Sequence, residues 1–276
     1  ASSLIAISLG KKDIEEAEKY LGTTMVASIA IGALITIVGL LFRNPILRML
    51  GADEMVMPYA QDYFSIFYCI TIPYIFSTAL NPIVRTDGNP KLAMMMVGIG
   101  AIANIILDYL LVIVFDFGIK GAAIATSASI VLSTLISLYY FLKGNSTIKI
   151  RKLYLKLDGK ILKEIVKIGF VSFMIQLSYG TIIFVQNNVM YAYGSNIDVA
   201  IYTVASYVNC FFVNVCTGIS QGLQPLIGYH FGANKWTRMK QFLYLSIVIS
   251  VVAGILVFIG IYSYGRELVS IFGISS

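Results

Sequence analysis

Charged residues leave long stretches of this chain untouched. No Asp, Glu, Lys or Arg occurs from Tyr20 to Phe42, Tyr63 to Val84, Gly121 to Leu142, Ile168 to Ile197, Val199 to Tyr229 or Gln241 to Tyr264. Each stretch accommodates the roughly 20 helical residues that cross a hydrocarbon core of about 30 Å. A seventh, Leu92 to Val114, is interrupted by a single acid, Asp108. The pattern predicts seven membrane-spanning helices joined by short polar connections. Ahead of them, Ala1 to Leu9 reads as the tail of a further helix, with no basic leader or cleavage site.

The longest polar stretch, residues 143–164, separates four predicted helices from three. It divides the chain into an N-terminal lobe, residues 1–142, a linker, 143–164, and a C-terminal lobe, 165–276. A repeat supports two related halves. A shift of 222 residues aligns Ala1 to Glu54 with Leu223 to Ser276 without a gap, with ten identities, among them Gly10/Gly232, Gly32/Gly254 and Gly51/Gly273. Six runs separate the copies, an even number, so both have one membrane orientation: a parallel repeat about the membrane normal, as in several transporter folds. Completing each copy with the segments that flank the other calls for about twelve helices, of which seven are present, with both lobes incomplete.

Composition narrows the fold class. Hydrophobic residues are 58% and charged residues 12% of the 276 residues, and the mean hydropathy is +0.83. A soluble domain with seven such helices would have almost no polar surface, so the fold class is an all-α membrane protein. Cys69, Cys210 and Cys216 fall in apolar runs, where cysteine acts as a small hydrophobe, and their spacing matches no zinc motif. No cofactor is expected.

Charge then orients the chain. Alternate connections total fifteen Lys and Arg against four, and residues 143–164 alone hold seven. The positive-inside rule places the linker in the cytoplasm of a multi-pass protein of the cell (plasma) membrane. The net charge of +6 is thus a topology signal rather than a nucleic-acid footprint. The expected surroundings are the lipid bilayer, with no nucleic acid and no obligate protein partner.

Chemistry centres on Asp108, because a carboxylate deep in a membrane helix costs about 2.5 to 3.5 kcal/mol even on the lenient scale. Asn104 lies one turn away on the same face, and the short connection Phe115 to Gly118 brings the next helix alongside. At 1.5 Å per residue, Asp108, Thr126 and Asn104 fall about 9, 12 and 15 Å from the outer helix ends. Three oxygen-bearing side chains converge there, a candidate site for a proton or a hard cation such as Na⁺. Gly118, Gly121, Ala122, Ala125 and Ser129 form a small-residue packing face around Thr126. Arg85 to Pro90 makes a tight turn through Gly88, with Arg85 a candidate gate. Gln176, Gln186, Asn187, Asn188, Asn209 and Asn214 are the polar groups of the C-terminal runs, available to line a cavity or to bond helix to helix. His230 reads as a surface residue at a helix end.

The sequence resembles the MATE (multidrug and toxic compound extrusion) family over nearly its whole length. Arg85-Thr-Asp-Gly-Asn-Pro-Lys91, Asn104-Ile-Ile-Leu-Asp108 and Gly118-Ile-Lys-Gly-Ala-Ala-Ile-Ala-Thr126 are similar to its fourth-to-sixth-helix region, and Gln221 to Gly232 to the end of its eighth helix. The resemblance implies twelve helices in two six-helix lobes that rock to export organic cations against H⁺ or Na⁺. It also implies that Asn104, Asp108 and Thr126 line the N-lobe cavity together with an Asp from a first helix, which this chain lacks. The chain departs from some members in having no acid in the membrane parts of residues 168–264. A lipid-linked sugar flippase of the related superfamily is the alternative, but it calls for a cationic cavity, and no Arg or Lys lies within the runs. An intramembrane enzyme needs a nucleophile with a base or clustered metal ligands, and an ATP-driven pump needs a Walker A motif; neither pattern is present.

Overall fold

A computed structural model of the chain describes the backbone of residues 1–194 and 196–271, with the side chains of 187–188, 191–193, 196–201, 203–205, 207–208 and 264–271 left out. The described residues form ten α-helices: α1 (Ser2–Gly10), α2 (Ile14–Leu41), α3 (Arg43–Met49), α4 (Met57–Cys69), α5 (Thr71–Thr86), α6 (Pro90–Asp108), α7 (Gly118–Lys143), α8 (Gly159–Tyr193), α9 (Asn196–Gly232) and α10 (Trp236–Ile271). A π-helical segment, Tyr109–Val114, continues α6. Five helices are long and apolar enough to cross a membrane, and the bent pair α4–α5 makes a sixth. Helix α9 covers the remaining expected run.

The expected single helix over Tyr63 to Val84 is instead two helices that meet at Ile70 with a bend of 56°. Pro73 is the cause. In a continuous helix it would offer no N–H to the Cys69 carbonyl and its ring would collide with that carbonyl. The neighbouring Tyr68 carbonyl accepts the hydroxyls of Thr36 at 3.0 Å and Thr71 at 2.9 Å. The break is thus sealed by side chains, the condition under which an interrupted helix is tolerated in lipid. Helix α2 starts six residues ahead of its uncharged run because Asp13 caps it, accepting the Glu16 N–H at 2.9 Å. Asn89 caps α6 in the same way, on the Leu92 N–H at 3.1 Å, with Pro90 at the first helical position. Caps of this kind are each worth about 1 kcal/mol.

Two compact units emerge, Ala1–Ile165 and Val166–Ser276. In the first, α1, α2, α5, α6 and α7 surround a core of Ile5, Leu21, Leu80, Ile83, Val84, Met96 and Phe141, all at most 1% exposed. Ile148, from the polar stretch 143–164, is buried in the same core. That stretch is therefore packed chain rather than a free tether, and α8 already begins within it at Gly159. In the second unit α9 packs along α10, with Phe212 against Gly254.

The repeat reappears bond for bond at the shift of 222. Lys11 N–H to Ile7 O, Lys12 N–H to Leu9 O and Asp13 N–H to Ser8 O end α1, and Ala233 N–H to Tyr229 O, Asn234 N–H to Phe231 O and Lys235 N–H to His230 O end α9. The residues in the left-handed region also correspond, Lys12 at φ 62° and Asn234 at φ 55°. Both turns follow a glycine and lead into a long apolar helix, so one local solution serves both units.

Candidate functional site

Helices α6 and α7 form an antiparallel hairpin reversed by Asp116 and Gly118, both at φ 53°. Small residues set its spacing. The Ser133 hydroxyl donates to the Met96 carbonyl at 3.1 Å, and a Cβ on Gly100 would stand 2.5 Å from the Ser133 Oγ. Nearer the turn, a Cβ on Gly121 would lie 2.9 Å from the Leu111 carbonyl oxygen. Of the expected packing face, Gly121, Ala125 and Ser129 are buried, whereas Gly118 is exposed.

This close approach brings Asn104 and Thr126 together. The Asn104 Nδ2 donates to the Thr126 Oγ1 at 3.5 Å, longer than the usual 2.7–3.2 Å and correspondingly weak. Asp108 lies one turn along the same face of α6, at the residue where α-helical winding gives way to π winding. Its Oδ1 is buried and has no hydrogen-bond partner among the described residues. The structure therefore joins two of the three expected residues directly and leaves the carboxylate beside them with an unmet acceptor. Leaving a buried polar atom unpaired costs about 1–3 kcal/mol, more when it is charged. A proton or a cation on this oxygen relieves that cost. The π segment has no counterpart in the hydropathy pattern; such segments recur at functional sites.

The polar residues of the second unit are placed differently. Gln186 accepts the Tyr202 hydroxyl at 2.7 Å, bonding α8 to α9, while the Asn214 Nδ2 donates to the Cys210 carbonyl of its own helix at 2.9 Å. Gln176 and Asn209 are exposed. The side chains of Asn187 and Asn188 lie outside the described residues. His230 is half-exposed, with its Nδ1 2.8 Å from the Leu226 carbonyl. Gly88, at φ 97°, provides the turn after α5, and Arg85 is half-buried in the last turn of that helix.

Two carboxylates that the sequence reading passed over are engaged on unit 1. Asp87, within the Arg85-to-Lys91 motif, accepts the Tyr140 hydroxyl at 2.7 Å and the N–H groups of Thr147 at 2.9 Å and Ile148 at 3.1 Å. Glu18, 3% exposed, accepts the Lys149 N–H at 3.1 Å and pairs with Arg151 at 2.6 Å. Burial pushes the Asp87 carboxyl up from its ordinary range, against hydrogen bonds that pull it down. The signal for Asp87 was its place in a turn motif; for Glu18 it was a carboxylate one turn into an apolar helix.

Comparison with known proteins agrees with this architecture. The MatE family model matches residues 1–110 and 168–276. The multidrug export protein MepA of Staphylococcus aureus (strain bovine RF122 / ET3-1) is 28% identical over 272 residues, covering 99% of this chain and 60% of that protein. MepA of Staphylococcus saprophyticus is 27% identical over 264 residues, 96% of this chain and 58% of that protein. A solved MOP superfamily transporter from Pyrococcus furiosus, described as having a binding pocket of reverse polarity that suggests a different function, superposes with a TM-score of 0.92 at 26% identity, over 100% of this chain and 61% of that one. An outward-facing multidrug resistance MATE family transporter gives 0.91 at 25% identity, over 98% and 60%. This chain spans about 60% of the length of the curated relatives it matches.

Proposed function

This chain belongs to the MatE family, an integral membrane family whose relatives are transporters rather than enzymes, and on that footing we propose that it works in a secondary antiporter exporting amphipathic organic cations or drugs in exchange for H⁺ or Na⁺. The observation that carries the reading is the buried Oδ1 of Asp108, without a hydrogen-bond partner among the described residues, beside the Asn104–Thr126 pair. A carboxylate held at membrane depth favours whatever neutralises it. A proton does so by covalent attachment and Na⁺ by oxygen coordination, and an organic cation competes through its charge. Competition for one acid links the three: export of the drug follows entry of the ion. The Asn104 side-chain carbonyl, one turn away, and the Thr126 hydroxyl bonded to Asn104 supply neutral oxygens.

The relatives named multidrug export proteins support the substrate class, and the basic count of residues 143–164 supports a cytoplasmic position for that segment in the plasma membrane. Lipid is the expected solvent of the exposed faces, and no obligate partner is invoked. A lipid-linked sugar flippase needs cationic side chains for a pyrophosphate, whereas the charged group between Leu92 and Val114 is the acid Asp108. The test is efflux of a fluorescent organic cation by the full-length protein in vesicles, with pH and Na⁺ gradients imposed separately. Uphill export driven by either gradient supports the reading; export driven by neither contradicts it.

A further inference from the structure

The segment that follows α7 is fastened to unit 1 at every few residues. Asp87 takes the N–H groups of Thr147 and Ile148, Ile148 itself is 0% exposed, and Glu18 takes the Lys149 N–H and Arg151. The Tyr154 backbone carbonyl lies directly over Gly22, where a Cβ would have no room. The Thr23 hydroxyl donates to the Lys156 carbonyl at 3.4 Å, and the Tyr20 hydroxyl donates to Glu164 on the first turns of α8. Ile161 and Ile165 pack against the core of the same unit. The hydrogen-bonding anchors come from α2 and the α5–α6 turn.

We infer that Asp87 and Glu18 are positioning residues that bolt residues 144–164 to the first unit, so that this segment travels with that unit during transport. The inference rests on the two-unit transporter reading.

Pulsed spin-label distances in the full-length protein test it, with Cys69, Cys210 and Cys216 replaced by Ser. Labels at Lys91 and Lys152, both exposed, report the fastening; labels at Lys91 and Lys240 report motion of the second unit. Measurements are made with and without tetraphenylphosphonium, and at acid and alkaline pH. The Lys91–Lys152 distance is expected to stay single and constant while the Lys91–Lys240 distance shifts. A Lys91–Lys152 distance that shifts with it overturns the inference. A static Lys91–Lys240 distance contradicts the two-unit reading instead, and the fastening is then decided by variants. Combining Asp87→Ala with Glu18→Ala must broaden the Lys91–Lys152 distribution and lower the transport turnover with the KM for the cation unchanged; Glu18→Gln, which keeps an acceptor for the Lys149 N–H, must restore the narrow distribution to a Glu18→Ala protein. If the double variant does not accumulate, Gly22→Ala displaces the Tyr154 backbone and must broaden the same distribution. An unbroadened distribution in these variants overturns the inference.

Discussion

Asn104 on α6 and Thr126 on α7 meet at 3.5 Å across the hairpin, one turn from the Asp108 oxygen that has no hydrogen-bond partner among the described residues. A hydrogen bond this long contributes little to stability. Thr126→Val is expected to change stability by less than about 1 kcal/mol. It should nonetheless weaken the ion-dependent step several-fold, because a neutral oxygen next to the carboxylate is lost. Thermal unfolding of the purified variant, alongside its transport, checks both halves.

The hairpin itself depends on Gly100. A methyl there would stand 2.5 Å from the Ser133 Oγ, which is already engaged with the Met96 carbonyl. Gly100→Ala is expected to destabilise by about 1–3 kcal/mol through overpacking. Adding Ser133→Ala removes the obstructing atom and should recover most of that loss. A double variant no more stable than Gly100→Ala would show that the hairpin spacing is set elsewhere.

Much of this arrangement was legible in the sequence, and the exceptions have physical reasons. Long apolar runs located α2, α6, α7 and α10, because crossing a hydrocarbon core requires some 20 apolar residues, and depth counting put Asp108, Thr126 and Asn104 at similar levels, of which the structure joins Asn104 to Thr126. The break at Ile70 was missed because Pro73 carries no charge, so a rule that counts charges reads straight through it. The packing of residues 144–164 was missed because polar composition suggests a tether, whereas its anchors are backbone N–H groups paired with Asp87 and Glu18, more than 50 residues away. Such pairing leaves no periodicity.

Asp87 carries a pH prediction. Its folded pKa is raised above the ordinary carboxylate value of 3.8, chiefly by burial. The folded state therefore holds the proton more tightly than the unfolded one. The resulting stabilisation is fully present below 3.8 and is lost as pH rises through the elevated folded value. Asp87→Asn, which cannot ionise, should flatten the stability profile in that window. A variant profile as steep as wild type would assign the slope to another group.

The topology can be probed with an impermeant thiol reagent in a background free of native cysteines. Ser146 is a poor position, being 7% exposed with its hydroxyl buried; its exposed neighbour Asn145 is suitable. Asn145→Cys is expected to react only after the cells are opened, and Lys120→Cys in intact cells, following the charge asymmetry. The reverse labelling would invert the orientation.

The central claim is that Asp108 links the driving ion to the exported cation. Its most direct test is Asp108→Asn in the full-length protein, reconstituted in vesicles with pH and Na⁺ gradients applied separately and the amount of folded protein measured in parallel. The substitution keeps the side-chain shape and removes the charge and the titratable proton. The account predicts normal insertion and a loss of uphill export of at least about tenfold, equivalent to about 1.4 kcal/mol of coupling, with ion dependence abolished. Wild-type export with unchanged ion dependence would contradict it.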